Sequence, residues 1–112
     1  MKNANLLNQL PYLKDFKAGQ ESSFDRTGGN DDFVTLESGE KAVLADLAGP
    51  GRIARIWMTV ASPDLYILRN IVLRIYWDSE HHPSVECPLG DFFGVGFALK
   101  RHYAALPLGM SS

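Results

Sequence analysis

Two stretches of the chain alternate strictly between apolar and other side chains. In residues 52–61, Ala54, Ile56, Met58 and Val60 fall on one face, and Ile53, Arg55, Trp57 and Thr59 on the other. In residues 69–77, Ile71, Leu73, Ile75 and Trp77 line one face, opposite Asn70, Val72, Arg74 and Tyr76. A period of two is the signature of a β-strand with one face turned inward. Ser62-Pro63-Asp64 separates the two runs, so they are predicted to be neighbouring antiparallel strands. Ala54, Ile56, Met58, Leu73 and Ile75 are their expected buried residues. The second face of each strand carries an aromatic ring and an arginine, and such a half-apolar face calls for a subunit or a ligand to cover it.

Weaker patterns fill in the rest. Residues 3–10 have the spacing of a short helix, with Asn3 or Asn5 as its cap, Leu6, Leu7 and Leu10 on one face, and Pro11 at its end. Tyr12, Leu13 and Phe16 are expected to pack on the scaffold. Short strands are predicted at 33–36, 41–48, 84–87 and 97–106. Turns are predicted at Ser38-Gly39-Glu40, at Gly49-Pro50-Gly51, over 78–83 and at the C-terminal Gly109-Met110-Ser111-Ser112. In Gly90-Asp91-Phe92-Phe93-Gly94 an extended backbone would send the two rings to opposite faces. The expected fold is all-β, an antiparallel jelly-roll-like sandwich with a short N-terminal helix. Five or six strands fall short of the eight of a full jelly roll, so either the fold is smaller or the chain is part of something longer.

One stretch has neither period. Residues 22–33 read Ser-Ser-Phe-Asp-Arg-Thr-Gly-Gly-Asn-Asp-Asp-Phe and predict a polar loop. Asp25, Arg26, Asn30 and Asp32 are its candidate binding residues, because sugar hydroxyls need donors and acceptors at fixed angles. The plainer alternative is a loop held by an internal Asp–Arg pair and Asx turns. The Gly28-Gly29 pair lacks the Lys-Ser/Thr ending of a phosphate loop. The Asp/Asn cluster lacks the spacing of an EF-hand.

Composition narrows the class. The chain has 112 residues and is 46% hydrophobic, which suits one globular domain. A net charge of −2 gives no general attraction to nucleic acid or anionic membrane. The single cysteine, Cys87, excludes an internal disulfide framework and is expected to pack as a small apolar residue. The N-terminus has no apolar run of signal-peptide length, so the default compartment is the cytoplasm. Adjacent His81 and His82 on a turn lack further metal ligands, and neither a metal nor a cofactor is expected. Asp78 with Glu80, and Glu86 with Asp91, are carboxylate pairs whose sequence spacing does not reveal their separation in space. Trp57 and Tyr76 could stack on a sugar or sit at a subunit contact.

Four motifs in order carry a resemblance. They are Ser22-Ser23-Phe24-Asp25-Arg26-Thr27-Gly28-Gly29-Asn30-x-Asp32, then Gly49-Pro50-Gly51-x-Ile53-x-Arg55-Ile56-Trp57-Met58-Thr59, then Leu73-Arg74-Ile75-Tyr76-Trp77-Asp78-x-Glu80, then Pro83-Ser84-Val85-Glu86-x-Pro88-Leu89-Gly90-Asp91-Phe92-Phe93-Gly94. Together they resemble glycoside hydrolase family 172, earlier catalogued as domain of unknown function 2961. Ser79 stands where the pattern has Gly, and Cys87 where it has an aliphatic residue. The resemblance implies a double jelly-roll subunit in homotrimers or larger homo-oligomers. It implies retaining hydrolysis of fructofuranoside or arabinofuranoside linkages by a glutamate pair lying beyond the matched region, so the chain corresponds to an inactive N-terminal portion. The alternative is a non-catalytic carbohydrate-binding or assembly module.

Overall fold

In the computed structural model, residues 6–13 and 15–111 are described, the side chain of Leu6 excepted. The chain divides into two units, Met1–Ile53 and Ala54–Ser112.

The first unit is mostly irregular. Its helix, α1 (Leu6–Gln9), is a single turn, extended by bonds from the Leu10 amide to Leu7 and from the Tyr12 amide to Gln9. The expected caps, Asn3 and Asn5, lie outside the described residues. Tyr12, Leu13 and Phe16 are exposed, contrary to the packing expected of them. The strands expected at 33–36 and 41–48 do not form. A strand exists only through its ladder, and these runs find no partner among the described residues. The turn between them does form. The Glu40 amide bonds to the Glu37 carbonyl at 3.0 Å, and the Glu40 carboxylate accepts the Glu37 amide at 3.1 Å.

The second unit holds the regular structure. From Ile56 to Thr59 the alternation survives, with Ile56 and Met58 half-buried and Trp57 and Thr59 exposed, but Val60, assigned to the same face as Ile56, is exposed. The segment is not a strand, however, and Ala54 is exposed. Side-chain period places the faces, but the ladder goes elsewhere. Asp64 then redirects the chain. Its carboxylate accepts the Tyr66 amide at 2.8 Å and the Asn70 side-chain amide at 2.7 Å, and so encloses α2 (Ile67–Asn70). Arg69 and Asn70, expected at the start of a strand, are helical. Extended backbone begins at Ile71, the C-cap, with φ −95° and ψ 132°.

Strand β1 (Val72–Ile75) pairs antiparallel with β2 (Val85–Pro88), not with residues 52–61. The register sets Val72 against Pro88, Leu73 against Cys87, Arg74 against Glu86, and Ile75 against Val85. Leu73, Ile75, Val85 and Cys87 are half-buried on the inner face, as the alternation predicts for Leu73 and Ile75, and Cys87 takes its expected apolar place. After Pro88 the chain makes one helical turn, α3 (Leu89–Phe92), where an extended run was expected. Phe92 and Phe93 therefore do not point to opposite faces. Their rings meet edge to face at 5.2 Å, a favoured aromatic geometry. The turn packs on α2, β1 and β2 and carries the core, in which Leu89 is 5% and Val95 7% exposed.

The last elements, β3 (Tyr103–Ala104) and β4 (Gly109–Met110), form a second antiparallel pair closed by a bond from the Ala105 amide to the Leu108 carbonyl. Only two residues of the predicted 97–106 strand are extended, and Gly109 and Met110 pair rather than turn. The β-structure is two small two-stranded antiparallel sheets.

Candidate functional site

The 22–33 loop is irregular, as predicted, and Asp25 organises it. Oδ1 of Asp25 accepts the Thr27 amide at 2.9 Å and the Thr27 hydroxyl at 2.7 Å. Oδ2 accepts the Gly29 amide at 3.0 Å and the Asp31 amide at 3.3 Å. The Asp25 carbonyl accepts the Gly28 amide, and its own amide donates to Asp32 Oδ1 at 2.7 Å. The Ser23 hydroxyl ties to the Asp32 carbonyl at 3.1 Å. This is an Asx turn enlarged into a cradle, with every donor local in sequence. A Cβ on Gly29 would lie 2.7 Å from Asp25 Oδ2, so a side chain there would push the carboxylate out of the cradle. Asn30 takes the left-handed φ of 62° that asparagine tolerates.

The Thr27 hydroxyl bond, followed by the amide bonds, holds the Asp25 carboxyl below the usual aspartate range. Asp25 and Asp32 thus spend acceptor atoms on the loop itself. Arg26 and Asn30 are exposed. The Arg26 guanidinium sits 4.7 Å from the centroid of the Phe24 ring, a cation–π contact in place of the Asp–Arg pair of the plainer alternative. The loop therefore presents a guanidinium and a carboxamide on a frame of fixed hydrogen bonds. Thr27 had no assigned role in the sequence, although the Asp-x-Thr spacing is the signal for its turn.

The other carboxylates serve local structure. Glu86 pairs with Arg74 and Asp91 with Arg69, each at 2.6 Å. Glu80 accepts the Trp77 amide at 2.9 Å and the Ser84 hydroxyl at 2.5 Å, and the Ser84 bond chiefly lowers its pKa. Among the described residues, no group of three or more His, Cys, Asp or Glu could hold a metal ion, and no helix is long and apolar enough to cross a membrane.

These features define two small antiparallel sheets and a polar loop braced by its own hydrogen bonds. Residues 29–112 match the family described as GH172 domain-like, and the chain belongs to that glycoside hydrolase family. The match begins inside the loop, at Gly29, and runs through both sheets. Searches of curated proteins and of solved structures give no match.

Proposed function

We propose that this chain is part of a retaining glycoside hydrolase acting on fructofuranoside or arabinofuranoside linkages, and that the 22–33 loop binds the furanose. The observation behind it is the division of labour in the loop. Asp25 and Asp32 hold the backbone, while Arg26 and Asn30 offer directional donors and an acceptor to sugar hydroxyls. Retention needs two carboxyl groups about 5 Å apart across the bond. The proposal assigns that pair to no residue here, and the chain by itself is inactive in this reading.

The test is titration of the chain with methyl arabinofuranoside and methyl fructofuranoside, beside a methyl pyranoside, with release of the phenol from an aryl furanoside as the activity assay. Saturable furanoside binding, weakened by Arg26→Ala, supports the reading. Equal response to the pyranoside, or none to any sugar, overturns it.

A second observation supports assembly. Trp57 is 72% and Tyr76 49% exposed, on faces whose apolar content calls for a cover. We propose that these faces are buried in a homotrimer or larger homo-oligomer of jelly-roll subunits, with residues 52–61 gaining their ladder there. Light scattering that shows a stable monomer with a sharp thermal transition contradicts this.

A further inference from the structure

We propose that the 94–103 segment forms a second binding site, for the anionic group and flat face of an acidic sugar, with Phe97 as stacking platform and Arg101 as anchor. Three independent observations meet there. The first is backbone strain. The Leu99 amide closes a turn on the Gly96 carbonyl at 3.2 Å, and the two residues between, Phe97 and Ala98, have φ of 59° and 55°. L side chains avoid this region, and a bulky aromatic one is a marked outlier in it. The Phe97 ring is 87% exposed, so no burial offsets the strain. Strain of this kind persists only where the surrounding structure enforces it, and such outliers cluster at binding and active sites.

The second observation is a concavity of about 370 Å³ beside that ring, lined by Leu99, Arg101, His102 and Tyr103 among others. Its size suits one small ligand. The Tyr103 side chain that lines it is tied down, its hydroxyl donating to the Phe93 carbonyl. A Cβ on Gly94, whose φ is +84°, would collide with that hydroxyl.

The third observation is charge. After Asp91 the sequence contains no acidic residue, while Lys100, Arg101 and His102 are consecutive, in a chain of net charge −2. Arg69 and Arg74 are ion-paired, and Arg101 has no ion pair among the described residues. A permanent guanidinium lining a shallow, largely apolar concavity favours a carboxylate or phosphate, and the neighbouring ring favours the C–H face of a sugar. That the ring is a sugar rests on the carbohydrate reading above; the anion preference does not.

Ligand-observed NMR on the chain, with glucuronate, glucose 6-phosphate, glucose and methyl arabinofuranoside, tests this. Glucuronate or the phosphate is expected to bind at least about tenfold more tightly than glucose, and the two arms tell carboxylate from phosphate. Arg101→Gln is expected to remove that preference. Phe97→Gly is expected to raise the melting temperature while weakening binding, because relief of strain and loss of the platform act in opposite directions. Equal binding of glucose and the anionic sugars, unchanged affinity in either variant, or a lower melting temperature for Phe97→Gly overturns the proposal. Binding of the arabinofuranoside without the anionic sugars also overturns it and leaves the furanoside reading intact. The reverse pattern removes the furanoside reading and leaves this site.

Discussion

The amide of Asp25 donates to Oδ1 of Asp32 at 2.7 Å, so the two ends of the polar loop are joined by one side chain. From the other direction, Asp25 gathers the amides of Thr27, Gly29 and Asp31. Removing either carboxylate should loosen the loop. Asp32→Asn keeps an acceptor at Oδ1 and should preserve it. Amide exchange at Asp25, Gly29 and Asp31, with limited proteolysis across 22–33, reads this directly. Faster exchange is expected in Asp25→Ala and Asp32→Ala, and not in Asp32→Asn. Equal protection in all three would remove Asp25 as organiser.

That loop was legible in the sequence because its bonds span few residues and use side chains known to make Asx turns. The same locality explains the correct turn at 38–40 and the inner face of β1. Residues 52–61 show the limit. Of the face that their alternation set inward, Ile56 and Met58 are half-buried while Ala54 and Val60 are exposed, and no ladder formed among the described residues, because a strand's partner is not written in its own period. The extended run expected near Phe92 failed for a related reason. Once Pro88 ends the ladder, the Phe93 amide bonds to the Leu89 carbonyl to make a helical turn and the Val95 amide bonds to the Gly90 carbonyl at its end, and the sequence has no period there to announce it.

Acid should unfold this protein through three carboxylates. Asp25 is depressed chiefly by the Thr27 hydroxyl, Asp64 by the Asn70 amide and Glu80 by the Ser84 hydroxyl. Each has a lower pKa folded than unfolded, so the unfolded chain binds more protons in the acid range. Their stabilisation is complete above the unfolded values of about 4 and is lost as pH falls through the native ones. Denaturant titrations from neutral pH downward should show this loss, and Asp64→Asn and Glu80→Gln should each make it shallower. An acid limb unchanged in both variants would exclude these groups as its source.

The turn after β1 contains a substitution that should stabilise. Asp78 and Ser79 have φ of 50° and 61°, with the Glu80 amide bonded to the Trp77 carbonyl at 3.0 Å. A turn with two left-handed central residues prefers Asp-Gly, and here Ser occupies the glycine position. Ser79→Gly should raise stability by about 0.5–1 kcal/mol, a gain of several degrees in melting temperature. A lower melting temperature would mean that the Ser79 side chain has a compensating role.

The two ion pairs should differ in worth. Arg74–Glu86 bridges β1 and β2 on the solvent face, where water and salt screen it. Arg69–Asp91, between α2 and α3, is about as exposed, with Arg69 at 49% and Asp91 at 33%, but Oδ1 of Asp91 is buried without a partner among the described residues. Arg69→Ala would leave the half-buried Asp91 carboxylate unpaired, at a cost of about 1 kcal/mol after solvent screening. Arg74→Ala should cost less, and its effect should vanish in high salt. Chemical denaturation of both variants at low and high ionic strength makes the comparison, and equal costs would refute it.

The sharpest functional prediction separates Arg26 from Asp25. If the loop binds furanose, Arg26 is a contact and Asp25 a support. Arg26→Ala should then reduce affinity for methyl arabinofuranoside about tenfold to a hundredfold, the worth of one or two charge-assisted bonds, without changing amide exchange in the loop. Arg26→Lys should restore little, because an ammonium cannot reproduce the planar fork. Asp25→Asn should lose affinity and loop protection together, since an amide accepts at one atom where the carboxylate accepts at two. Titration and exchange on the same samples resolve the cases. An Arg26→Ala chain with full affinity would show that the guanidinium only covers the Phe24 ring, and the loop would then be a structural element of the family rather than its sugar contact.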